Sequence, residues 1–374
     1  MSAVPRKRPQ ETAPTRNSQL RRGLGDPQIL IVVVALTILA GGLLGLNWLV
    51  VSGHATAIPE SVLLRDPRDD GLRVSYEIGR LKIDPPRKPA VYILGGSAAR
   101  ECFVGEGSLA NEIGVAGGGD VEVHQLASNN REFGSDLAVI DNLPRTPGVI
   151  VIEVGMARFV HVEGATEDQL AGKPLLLWSP ALKDFLVDQT GHGRFAFTIL
   201  PGVADYAVTY AKWRLHRLLI ARPFLIRFKQ HLYTRDMAYD TARKRELVRL
   251  WLENRGRPGG QWERVFPYDA ALLECCVALA RERGFEVVLL EGPLNTDIVG
   301  HQWDAGIERY RGLCDALART YGVRYIDFLA QAGLRDQDFR DLTHLLYPGQ
   351  VKYERELAAA LAPLTAQLAS TPDR

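Results

Sequence analysis

The chain lacks a net charge of either sign: its 45 Lys and Arg nearly cancel 44 Asp and Glu, leaving +1 over 374 residues. A globally basic nucleic-acid binder is therefore disfavoured, and no nucleic-acid partner is expected. Cysteine is scarce. Cys102, Cys275, Cys276 and Cys314 allow three disjoint pairings and show no zinc or iron–sulfur spacing, so no metal is expected. Cys275 or Cys276 reaches Cys314 if their helices are neighbours, whereas Cys102 reads as a buried thiol. There is no Walker loop, and the run Gly117-Gly118-Gly119-Asp120 precedes a strand, the wrong context for a dinucleotide fingerprint, so no cofactor is expected. The length excludes a disulfide-stapled miniprotein, and 46% hydrophobic residues exclude wholesale disorder.

The charge that is present is unevenly placed. Residues 1–28 hold six basic residues, Arg6, Lys7, Arg8, Arg16, Arg21 and Arg22, against Glu11 and Asp26, a net +4. The 23 residues from Ile29 to Val51 carry no charge, so the remainder sums to −3. At about 1.5 Å per residue the uncharged run is long enough to cross a hydrocarbon core as a helix. Ala55-Thr56-Ala57 resembles a cleavage site, but the apolar run exceeds the usual signal-peptide core, so an uncleaved anchor is expected. Basic residues on its N-terminal side place that end in the cytoplasm, with the C-terminal domain outside, as a single-pass protein of the cell (inner) membrane. Residues 1–28, rich in Pro, Arg, Thr and Ser, read as a disordered cytoplasmic tail, and 369–374 as a C-terminal tail.

Residues 52–89 read as a stalk and lead-in, closed by Asp84-Pro85-Pro86-Arg87-Lys88-Pro89, which no regular structure accommodates. Five short apolar segments follow: Ala90–Leu94, Val121–Leu126, Val149–Val154, Val287–Leu290 and Val323–Phe328. Helix-length amphipathic stretches lie between and after them, at Ala98–Ile113, Ser135–Leu143, Tyr268–Arg283, Trp303–Tyr321 and Pro348–Leu368. Strands alternating with helices predict an α/β domain over 90–368, with five mainly parallel strands covered on both faces. Ligand sites in such sheets lie at the carboxyl ends of the strands.

The first strand runs through Leu94 into Gly95-Gly96-Ser97. Two glycines permit a sharp turn, and Ser97 then sits where a helix starts, its hydroxyl exposed above N–H groups able to hold an oxyanion. A plain helix N-cap uses the same residue type. After the last strand comes Asp341-Leu342-Thr343-His344, whose spacing lets the carboxylate hold one imidazole nitrogen while the other faces the serine. A nucleophile after the first strand and Asp-x-x-His after the last belong to the same end of one sheet.

These blocks resemble the SGNH (GDSL-like) hydrolase superfamily, in particular its membrane-anchored DltD-like and alginate O-acetylation members; the resemblance covers residues 90–155 and 266–368. It implies a three-layer αβα, flavodoxin-like sheet, Ser97 as nucleophile, His344 as base and Asp341 as its orienter. It further implies an oxyanion hole of amides at Ser97, Asn130 and Gly155. The third block normally reads Gly-x-Asn-Asp, but here Gly155-Met156-Ala157-Arg158 has alanine in place of the oxyanion asparagine. Losing one such donor typically costs about 100- to 1000-fold in turnover, so either Asn129, Asn130 or Arg158 substitutes or activity is weak. The implied function is an outward-facing serine esterase or O-acyltransferase acting on a cell-envelope polysaccharide. Its implied partners are the bilayer, an envelope glycan acceptor and a multi-spanning membrane acyltransferase. A catalytically weak assembly or glycan-binding subunit is the alternative.

Arg100 and Arg158 flank the expected site and either orient an anionic or hydroxyl-rich acceptor or are solvated surface charges. Glu291 and Asn295 follow the fourth strand and either line the acceptor cleft or shape a turn. An insertion at about 159–266 is longer than a crossover needs. Within it, Val203–Tyr233 interleaves six basic residues with aromatics, as an interfacial helix pair or a solvated lid would.

Overall fold

The computed structural model describes residues 27–51, 70–129, 131–160, 177, 179–190, 211, 215, 238–253, 261–327 and 331–370. Residues 1–26 and 371–374 of the expected tails, the Ala55–Ala57 site and nearly all of the basic-aromatic stretch lie outside them; the helices that begin at Pro27 and end at Ser370 take the inner two residues of each expected tail. Two units emerge, 1–48 and 49–374. The first contains helix α1 (Pro27–Val51) as far as Trp48, and its side chains from Pro27 to Gly45 are exposed among the described residues. It is the one helix among the described residues long and apolar enough to cross a membrane. Length and composition make it a candidate membrane span.

The second unit is built on five parallel strands: β1 (Ala90–Leu94), β2 (Glu122–Gln125), β3 (Gly148–Val154), β4 (Glu286–Glu291) and β5 (Arg324–Ile326). Their order is β2-β1-β3-β4-β5. The chain thus reverses direction of travel across the sheet between β1 and β3, which leaves a crevice at their carboxyl ends. Alternation along the strands feeds two cores. Tyr92, Leu94, Ile150, Ile152 and Leu289 face one side, with Val74, Ile78, Leu137, Leu273 and Tyr310 of the covering helices. Val91, Ile93, Val151, Val288 and Leu290 face the other, with Leu109, Ile113, Tyr353 and Leu357. Those side chains belong to α2 (Asp70–Ile83), α5 (Phe133–Asn142), α8 (Gln261–Glu282) and α10 (Asp304–Tyr321) on the first face. On the second they belong to α4 (Glu106–Val115) and α11 (Tyr347–Ser370). Helices on both faces of an all-parallel sheet explain why its strands are nearly unbroken apolar runs. Four further α-helices are α3 (Ser97–Arg100) after β1, α6 (Pro180–Thr190) and α7 (Thr241–Trp251) in the insertion, and α9 (Thr296–Val299) after β4.

Three expectations change. The lead-in contains α2, which carries Val74, Ile78 and Leu81 into the core and whose Arg73 donates to the Gln125 and Ala127 carbonyls, so this part belongs to the domain. The single helix expected over Ala98–Ile113 is two, α3 and α4. Between them Cys102 and Phe103 turn inward and Val104 N–H donates to Glu354. The four cysteines are unpaired. Although α8 and α10 both line the first core, Cys276 turns toward α5, where its thiol meets the Phe133 carbonyl.

Candidate active site

The Gly95-Gly96-Ser97 turn is shaped by what stands beside it. Register pairs Leu94 with Ile152, so Gly95 comes level with Glu153. Gly95 has φ +145°, and a Cβ there would lie 2.7 Å from the Glu153 Cβ and 2.8 Å from that of Ala99. Only glycine fits both the conformation and the space. Gly96 N–H donates to Glu153 Oε2 at 3.2 Å. Ser97 then opens α3, and as a first-turn residue its amide has no acceptor within the helix.

The Ser97 hydroxyl lies 2.8 Å from His344 Nε2. His344 Nδ1 lies 2.8 and 2.9 Å from the two Asp341 oxygens. Burial alone raises the Asp341 pKa; the hydrogen bond and charge of His344, with the Thr343 and His344 amides, outweigh it and hold this carboxyl well below the ordinary carboxylate value. An ionised carboxylate only accepts, so Nδ1 carries the proton and Nε2 presents its lone pair to the serine. The loop carrying this pair is tied down by the Phe339–Leu345 bridge and by Arg340, whose guanidinium lies 3.1 Å from buried Glu101 and 3.6 Å from Asp341.

A cavity of about 380 Å³ opens against Ser97. Its lining comes from the strand ends: Gly96 and Ala98 after β1, Gly155 to Arg158 after β3, Gly292 to Leu294 after β4, with Trp303, Tyr310 and Thr343 beyond. Beneath lies a buried ion network. Arg158 bonds Asp136 at 2.5 Å and Glu153 at 3.3 Å, Arg131 lies 2.9 Å from Asp136, and the Arg158 guanidinium stacks over Phe133. Burial pulls the Arg131 pKa down to about 10, with Asp136 opposing it and Arg158 adding to it. For Arg158 burial also acts downward, but two carboxylates win and its pKa is raised. Both stay cationic at neutral pH. Among the described residues no cluster of three or more His, Cys, Asp or Glu is placed to hold a metal ion.

Ser97, Asp341 and His344 are brought together, and Gly155 lines the same cavity. Asn130 lies outside the described residues, and half-buried Asn129 is not part of the cavity wall. The two arginines are not solvated charges. Arg158 is 4% exposed and engaged by Asp136 and Glu153, and Arg100 donates to Glu101 away from the cavity. Asn295 is fully buried, outside the cavity lining, and ties down the Asp341–His344 loop: its side-chain amide donates to Asp336 and to the Asp341 carbonyl, and its backbone N–H to Leu342. Glu291 is 1% exposed, receiving Tyr310, Arg311 and Tyr325, so it too is structural. Sequence reasoning missed Glu153, Asp136, Arg131, Glu101 and Arg340. The signal available was a glutamate inside an otherwise apolar strand, GVIVIEV, where a charge needs a partner.

No known family model matches the chain, and no curated protein sequence matches it.

Proposed function

We propose that the chain is a membrane-anchored serine esterase or O-acyltransferase of SGNH type. The observation that carries this reading is the unbroken relay Ser97 Oγ, His344 Nε2, His344 Nδ1, Asp341, at 2.8 Å each. The strand order, with the nucleophile after β1 and Asp-x-x-His after β5, supports the flavodoxin-like assignment.

In the mechanism, Ser97 Oγ attacks an acyl carbonyl while its proton passes to His344 Nε2. The tetrahedral oxyanion takes hydrogen bonds from the Ser97 and Gly155 amides. Collapse breaks the bond to the leaving group, which takes the proton from His344, and leaves an acyl-Ser97 ester. A second hydroxyl, deprotonated by the same imidazole, attacks that ester and Ser97 regains its proton. Water as acceptor gives hydrolysis; a hydroxyl of an envelope glycan gives transfer. With α1 crossing the cell membrane and the N-terminus cytoplasmic, the domain faces the periplasm, and a multi-spanning acyltransferase is the proposed donor-side partner.

The test is labelling of the full-length, detergent-solubilised protein with a fluorophosphonate. Wild type is expected to label and Ser97→Ala not to; an unlabelled wild type, or equal labelling of both, overturns the reading. Ala157 in place of a side-chain oxyanion donor, with Arg158 already engaged, favours the second reading, a catalytically weak glycan-binding subunit, for which the first of those results would speak.

A further inference from the structure

Lys244 lies in the insertion, on α7, far from the catalytic blocks in sequence, and is 2% exposed. A buried ammonium needs an acceptor for each of its three protons. Here all three are on the catalytic loop: Asp336 Oδ1 at 2.5 Å, the Asp336 carbonyl at 3.1 Å and the Phe339 carbonyl at 2.9 Å. A second tie runs alongside, from Tyr239 N–H to the Arg340 carbonyl at 2.7 Å. The residues gripped immediately precede Asp341 and His344, in a segment whose own regular structure is one 3-10 turn (Asp336–Asp338) and one bridge. Asp336 also receives Asn295, so one carboxylate joins the insertion, the start of α9 and the catalytic loop. The other lysine on this segment, Lys352 to Asp338, is 42% exposed at its side chain and held more weakly by solvent competition.

We propose that Lys244 is a positioning residue: through it the insertion holds the Asp341–His344 loop in register with Ser97. Helix α7 of the insertion is then part of the catalytic apparatus. The inference rests on the reading of Ser97 as a nucleophile. A misplacement of about 1 Å costs roughly 100-fold in rate, so a loosened loop changes how fast Ser97 reacts, whereas a loss of folded protein changes only how much of it reacts.

The experiment is fluorophosphonate labelling of full-length wild type, Lys244→Met and Lys244→Arg at saturating probe, following both final extent and rate constant. Lys244→Met preserves the buried stem and removes all three donors; it is expected to label slower by about 10- to 100-fold. Lys244→Arg, which keeps donors, is expected to fall between it and wild type. If Lys244→Met folds poorly, the rate constant of its labelled fraction, or that of Lys244→Arg, still reports. A wild-type rate constant in both variants, with or without a lower extent, overturns the inference while leaving the hydrolase reading standing. An unlabelled wild type overturns both.

Discussion

A single carboxylate decides the electronic state of the proposed catalytic residues. The Asp341 pKa is depressed in the folded protein, so its contribution to stability is present above the ordinary carboxylate value and is lost as pH falls below it. Asp341→Asn should abolish that acidic loss while lowering the fluorophosphonate labelling rate by about 10⁴-fold, because the amide favours the wrong imidazole tautomer. Denaturant melts at several pH values together with labelling kinetics check both halves. Gly95 offers the complementary prediction. At φ +145°, with the Glu153 and Ala99 side chains inside 3 Å of a Cβ, Gly95→Ala should cost about 3 kcal/mol from strain and overpacking together, measurable by urea unfolding. Both residues were legible because their roles are local: a Gly-Gly-Ser turn and an Asp-x-x-His spacing need only neighbours. Glu153 and Lys244 were not, since each acquires meaning from partners that only the fold brings near.

At the scale of elements, the strands were readable within one to two residues at each end, as apolar runs ended by Gly, Asn or Pro, and α10 nearly so. Helix α2 was hidden by its proline-rich surroundings, although Val74, Ile78 and Leu81 already mark one helical face. Its attachment rests partly on Glu77, which meets His124 at 3.0 Å and Arg80 on its own helix. Burial pushes the Glu77 pKa up, but the His124 and Arg80 hydrogen bonds win and bring it from 4.5 to about 2. The resulting stabilisation, about 3 kcal/mol by linkage, exists above pH ~4.5 and fades as pH falls toward 2. Glu77→Gln should therefore melt lower than wild type at neutral pH, and the gap should close in acid; calorimetry across pH 2–7 would show it, and a constant gap would refute it. The break between α3 and α4 escaped notice for a different reason. Helical periodicity continues through 101–105, but Glu101 is drawn inward by Arg340 and Gln350.

For the whole molecule, the near-zero net charge is a sum over parts that differ. A +4 segment precedes an uncharged apolar helix, and −3 follows it. This distribution predicts that a periplasm-active reporter fused after residue 374 is active and a cytoplasm-active one silent; the opposite pattern would reverse the proposed orientation. Neutralising Arg6, Lys7, Arg8, Arg21 and Arg22 should produce a mixed population in the same assay.

The glycines around Glu153 set a limit on how such a site can change. A side chain at Gly95, Gly155 or Gly292, which follow three different strands, would press on this one residue, with clearances of 2.6–3.2 Å. The floor beneath Ser97 is therefore closed to growth from the sheet, since an added methyl there moves the carboxylate that holds the Gly96 amide. Met156, Leu294 and Trp303 also line the cavity, and none of them is among the atoms that a side chain at those three glycines would meet. On the proposed function, redesign of acyl specificity belongs at those side chains and away from the three glycines.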